Sequence, residues 1–251
     1  MNRKLFVFLA LICALPLHAQ VVMNFGKGQG VSVHGKQLEE YAVQTRTREQ
    51  LRNDSTEYAN CLTRGFNALH TDSLKLAESY FQKALKIMPD RSGNDVLRHQ
   101  LGRICMARTD YPAAIGYFTE ILKRQPLKAD VRLDRATCYL DGHLPQKALE
   151  DCQAIFNQTR DTLMAVRTLF IQSAAHTQLR QYQLVKEDLH KILKLDPQNK
   201  SVTILYALNL ARLGQPNEAL NRLNMYLSVN PDDEEAKVAR EEVMRGLRIK
   251  D

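Results

Sequence analysis

Residues 101–126 read LGRICMARTDYPAAIGYFTEILKRQP, and the spacing inside this stretch decides the fold. Gly102 and Ala114 are small, so two antiparallel helices can approach closely there, and Phe118 is large enough to fill the space beside them. Pro112 falls at the first turn of the second helix, where its missing N–H is not needed. Ala114 is also one beat of a longer series. Ala77, Ala114, Ala148, Val185 and Ala219 follow one another at steps of 37, 34, 37 and 34 residues. A fixed period of this length marks an array of supersecondary units stacked on one another.

The spacing of Leu101, Gly102, Ala114, Phe118 and Pro126 resembles that of the tetratricopeptide repeat family. The resemblance implies an all-α helical-repeat solenoid of about five helix pairs plus a C-terminal capping helix. Counted from the terminal prolines and the alanine beat, the repeats run 58–91, 95–128, 129–162, 166–199 and 200–233. The first holds Gly65, Ala77, Phe81, Ala84 and Pro89 in family positions, and the fifth holds Ala207, Ala219 and Pro231. The third keeps Ala136, Tyr139 and Ala148 but has Arg160 where proline is usual; the fourth keeps Pro197 but carries Val185 at the alanine position.

Turn chemistry supports the pairing. Pro112, Pro145 and Pro216 each open a second helix, and Gly142 and Gly214 follow first helices, where a left-handed cap is expected of glycine. The two 37-residue steps place their extra residues near 91–94 and 160–163, in loops between repeats.

Residues 1–19 read as a secretory signal. A basic start at Arg3-Lys4 precedes an apolar run of 11 residues from Leu5 to Leu15, with Ala19 at a cleavage point. That run is far short of the roughly 18 residues that would indicate a membrane span. Residues 20–53 read as a flexible glycine-rich lead followed by a weak helix over 37–51. Asp54 and Glu57 have capping-box spacing and are expected to open the first repeat helix, so residues 54–233 hold the five repeats. In residues 234–251 an acidic start, a basic end and a stripe of Ala239, Val243 and Leu247 give a helix suited to closing the open end of a stack.

Composition narrows the function. The formal charge is +7, or +5 once Arg3 and Lys4 are removed, with acids and bases interspersed and no block of like charge. A nucleic-acid tract is not indicated. Cys61, Cys105, Cys138 and Cys152 remain after the signal. A bond between Cys138 and Cys152 is conceivable on the repeat register, while the favoured reading is four thiols packed as small core residues. No cysteine or histidine group has metal-ligand spacing, and no cofactor is expected. Gly30 to Lys36 has the glycine and lysine spacing of a phosphate-binding loop, but Gln37 stands where Ser or Thr should hold magnesium, and no βαβ context exists. No catalytic constellation is found. The triplets at Asn53, Asn157 and Asn199 match glycosylation acceptors and are placed in loops.

The resemblance implies a non-enzymatic scaffold or adaptor that binds a protein or peptide partner on the concave face of the array. With the signal, the protein is expected to be exported, most simply to the periplasm, with secretion and membrane association as the alternatives and no membrane span after cleavage. Family geometry turns His99 and Arg103, Asp130 and Asp134, Phe170 and Ala174, and Ile204 and Leu208 toward that face, the last four as an apolar strip. The paired-carboxylate clamp of some relatives is not expected, because Leu62 and Phe66 occupy its Lys and Asn positions. A binder of an envelope polymer and a regulatory subunit of an enzyme complex are the competing readings.

Overall fold

Five residues with left-handed backbone, Asp72, Thr109, His143, Arg180 and Gly214, repeat the steps of 37, 34, 37 and 34 seen in the alanine series. Each sits in the turn inside a helix pair. The N–H that follows it reaches back five residues to a carbonyl of the first helix, as in Asp110 to Cys105 at 2.9 Å and Leu144 to Tyr139 at 2.7 Å. This is the Schellman closure, which satisfies carbonyls that the ending helix would otherwise leave open.

The computed structural model describes residues 21–24, 30–33, 35–197 and 199–248, with side chains over 47–197 and 199–247. The expected signal at 1–19 lies outside the described residues. The chain divides into two units, residues 1–91 and 92–251.

In the first unit, strands β1 (Val21–Asn24) and β2 (Gly30–Val33) pair antiparallel, with Val21 opposite Val33. Only a flexible lead was expected there; the valines around the glycine-bearing connection supply strand propensity on both sides. Helix α1 (Gly35–His70) then runs unbroken for 36 residues and pairs with α2 (Leu74–Ile87). This corrects the expectation of a new helix opening at Asp54. No proline or glycine separates residues 36 and 64, so nothing obliges the chain to stop, and the Asn53 triplet lies within the helix rather than in a loop.

The second unit holds four antiparallel pairs and a closing helix: α3 (Asn94–Ala107) with α4 (Tyr111–Arg124), α5 (Ala129–Asp141) with α6 (Pro145–Gln158), α7 (Thr162–Gln178) with α8 (Tyr182–Leu195), α9 (Lys200–Arg212) with α10 (Pro216–Val229), and α11 (Glu234–Arg248). Proline occupies the first turn of α4, α6 and α10. Asp110, Asp161 and Asn199 accept from backbone N–H groups at the starts of α4, α7 and α9. The extra residues expected near 160–163 do not all remain in a loop: α7 has 17 residues where α5 and α9 have 13.

Gly142 does not take the left-handed position; its φ is −80° and His143 takes it at 58°. His143 precedes Pro145 by two residues as Gly214 precedes Pro216, so the left-handed place keeps the proline register and Gly142 lies one residue before it. Gly142 is small for another reason, since a Cβ there would lie 2.9 Å from the Cys138 carbonyl oxygen.

Packing within each pair follows matched volumes. A Cβ added to Gly102 would stand 2.4 Å from Phe118, and one added to Gly65 would stand 2.5 Å from Phe81. In the later repeats these two positions hold Ala136 with Cys152, Ser173 with Leu189, and Ala207 with Leu223, all buried. Where the ring is lost, the glycine has gained a Cβ, which keeps the interior close-packed.

A second pair of positions, 16 residues apart, carries a polar or cation–ring interaction in the first, third, fourth and fifth repeats. Arg64 lies over Tyr80 at 6.0 Å from the ring centroid. Arg135 grips Asp151 with Nη2 and Nε at 2.7 and 2.8 Å. Gln172 donates to Asp188 at 2.8 Å, and Arg222 lies over Tyr206 at 4.5 Å.

Candidate partner-binding face

Among the first helices of the second unit, α3 packs on α5, α5 on α7, and α9 on the closing α11. In a curved array the helices nearest one another line the inner side. The inner face is therefore built from α3, α5, α7, α9 and α11.

His99 of α3 and Asp134 of α5 meet on it, Nε2 to Oδ2 at 2.8 Å, each side chain about one-fifth exposed. The His99 ring also stands edge-on to Phe118 at 5.7 Å. The imidazole is thus wedged between the core ring and a carboxylate of the next repeat, which fixes its orientation. Arg103, one turn further along α3, and Asp130, one turn earlier on α5, are exposed. The structure therefore brings two of the expected residues into a pair and leaves two beside it available to a ligand.

The expected apolar strip is placed differently. Ile204 is 3% exposed and belongs to the core that Leu210, Leu223 and Val243 share. Phe170 and Leu208 are half-buried against that same core. Ala174 is half-buried against Leu140, Ala148 and Ala175. The reason is coverage: α9 is packed by α8, α10 and α11 together. Ile204 is thereby removed from any contact with a partner, and the strip is continuous with the interior rather than open.

Sequence reasoning missed the charged interior. Asp151 is 3% exposed and takes hydrogen bonds from both Arg132 and Arg135. Asp188, 2% exposed, takes them from Gln172 and from His176 Nδ1 at 2.8 Å. Asp95 is held by Arg98, Arg124 and Gln125. Buried carboxylates satisfied this fully are orienting devices for the helices around them. The signal available was an acid three residues after the small beat residue, at Asp151 and Asp188, on the buried side of the helix.

Among the described residues, Cys61, Cys105, Cys138 and Cys152 form no disulfide and are all buried. Burial pushes the Cys138 thiol up to about 12, with the Asp134 and Asp141 carboxylates adding to it. Burial likewise raises Cys152 to about 12, with Asp151 and Asp188 contributing. Such thiols are poor nucleophiles. Among the described residues, no group of histidine, cysteine and carboxylate side chains is arranged to hold a metal, and no helix is long and apolar enough to cross a membrane.

Residues 177–241 match the tetratricopeptide repeat family. A tetratricopeptide repeat protein from Parabacteroides merdae superposes with a TM-score of 0.70, covering 76% of this chain and 74% of that one at 19% identity. The fold is the tetratricopeptide repeat. YrrB, another tetratricopeptide protein, superposes at 0.58 over 72% of this chain and 90% of its own at 16% identity. In sequence the chain is similar to DnaJ homolog subfamily C member 3 of Gallus gallus, 25% identical over 70% of this chain, and of Homo sapiens, 29% identical over 60%. It spans only 39% and 31% of those relatives' lengths. Tetratricopeptide repeats generally serve as scaffolds for protein–protein interaction, and the inner face described above is where such a scaffold has its first helices.

Proposed function

We propose that this protein is a non-enzymatic scaffold of the cell envelope that binds a protein or peptide on the inner face of its second unit, at the surface around His99, Arg103, Asp130 and Asp134. The observation that carries this reading is the His99–Asp134 pair, which ties two successive first helices together and holds exposed charges of both signs on either side. Rigid, pre-oriented polar groups on a helical scaffold lower the entropy lost on binding. YrrB, similar in fold, is described as having an unusual peptide-binding site, which agrees with a peptide ligand here. The basic, apolar start of the chain supports export, and the envelope is the compartment this implies.

The test replaces Arg103, and in a second strain Asp130, with p-benzoylphenylalanine in native cells. Irradiation should give a discrete protein adduct in the envelope fraction, weakened when His99→Ala is added. An adduct with glycan alone would favour the polymer-binding reading, and recovery of the protein only in the cytosol would refute the envelope location.

A further inference from the structure

Two grooves lie between consecutive second helices of the C-terminal unit. One, of about 470 Å³, is lined by Phe156 of α6, Leu169 and Gln172 of α7, and Lys191, Lys194 and Leu195 of α8. The other, of about 730 Å³, is lined among others by Leu193 of α8, Thr203 of α9, and Met225 and Val229 of α10. These are the same groove one repeat apart. Phe156 and Leu193 are separated by the 37-residue step; Leu169 and Thr203, Lys191 and Met225, and Leu195 and Val229 are separated by the 34-residue step. The repeat geometry builds a cleft here independently of the inner face.

The two copies differ in charge. The second has Met225 where the first has Lys191, and it includes Glu218. The first has no acidic residue in its lining. Asp188 approaches Lys191 at 3.5 Å, but it is 2% exposed and turned inward to Gln172 and His176. The Lys191 side chain is 57% exposed and Lys194 follows one turn later, also exposed. Beneath them Phe156 is half-buried and packed on the core, while Leu195 is 48% exposed. The cleft therefore presents an apolar floor under a positive rim.

We propose that the α6–α8 groove is a second docking surface, for an acidic amphipathic helix of a partner protein. A helix laid between two helices seats its apolar side chains in the cleft. Carboxylates on its flank meet Lys191 and Lys194, whose charge has no exposed counterpart within the lining. The surface is separate from the inner face and does not rest on the reading proposed for that face.

The test uses fluorescence anisotropy on the full chain with three fluorescein-labelled 18-residue peptides: one with leucines on one helical face and glutamates on its flanks, one with lysines replacing the glutamates, and one scrambled from the first. The acidic amphipathic peptide should bind, and neither of the others should. Lys194→Glu with Leu195→Ser should weaken it roughly tenfold or more, Arg103→Glu should leave it unchanged, and amide exchange should slow in α6 and α8. Both altered residues are exposed, and a thermal melt checks that the variant folds; if it does not, Lys194→Gln alone must still weaken binding. Equal binding of the acidic and scrambled peptides, indifference to both Lys194 variants, sensitivity to Arg103→Glu, or no binding of the acidic peptide would each overturn the proposal.

Discussion

Gly102 and Phe118 are packed as a single shape: a Cβ on the glycine would stand 2.4 Å from one ring carbon and 2.7 Å from the next. Phe118 is fully buried and cannot swing into solvent. Gly102→Ala should therefore destabilise the protein by about 1–3 kcal/mol through overpacking. Gly116→Ala is the control, since nothing lies within 4 Å of the added carbon. In that helix interior the same change should stabilise by about 0.5–1 kcal/mol. Urea unfolding of the two variants checks both signs. Adding Phe118→Leu to Gly102→Ala reproduces the volume match of the later repeats and should cost less than the two single changes summed.

Thr109 holds a left-handed backbone at φ 59°, a conformation that strains a β-branched side chain. Thr109→Gly should raise stability by about 0.5–1 kcal/mol, the relief of strain exceeding the added flexibility of the unfolded chain. Gly214, at 77°, is the reverse case, and Gly214→Ala should lower the melting temperature. A Thr109→Gly variant with an unchanged or lower melting temperature would show that the turn is not strained.

Removing Asp151 leaves Arg132 and Arg135 charged with side chains only 14% and 15% exposed. Asp151→Ala should cost about 3–5 kcal/mol, as when one partner of a buried ion pair is lost. Changing Arg135 to Met in that background should recover part of the loss. A double-mutant cycle with no coupling between residues 135 and 151 would contradict the observed bidentate geometry.

The thiols of Cys138 and Cys152, raised to about 12 by burial, should resist alkylation at pH 8 until the protein unfolds. Their contribution to stability has a definite sign. Below the ordinary thiol range both states are protonated and nothing changes with pH. Above it the unfolded chain ionises while the folded one does not, so stability should fall between about pH 9 and 12. Replacing both cysteines with alanine should flatten that part of the profile, whatever it does to the absolute stability. Chemical denaturation across this range measures it.

The helix pairs were legible because their signals are local and repeated: a small residue, a large one and a proline at fixed spacing. What escaped reading depended on neighbours or on missing punctuation. Nothing in residues 36–64 tells the chain to stop, so the capping-box spacing at Asp54 and Glu57 was a chance match inside α1. Ile204 shares a helical face with Leu208, and only the packing of α8, α10 and α11 around α9 decides that Ile204 is core. His99 and Asp134 were each chosen from family geometry, yet their pairing spans 35 residues and two repeats. The left-handed positions were misread at Gly142 because residue type was taken as the guide, whereas the proline register assigns the position to His143.

The changing pair at 16-residue spacing, cation over ring, arginine with carboxylate, amide with carboxylate, ring under cation, gives the array a reading order. Copies that had stayed identical could exchange places by recombination and still stack. Here a transplanted second helix would bring Asp151 opposite Tyr206, or Arg222 opposite Arg135, and bury a charge without an answer. The carboxylates of the third and fourth repeats, Asp151 and Asp188, each face a hydrogen-bond donor of the first helix and are the two that could trade places, whereas neither would find a donor opposite Tyr206.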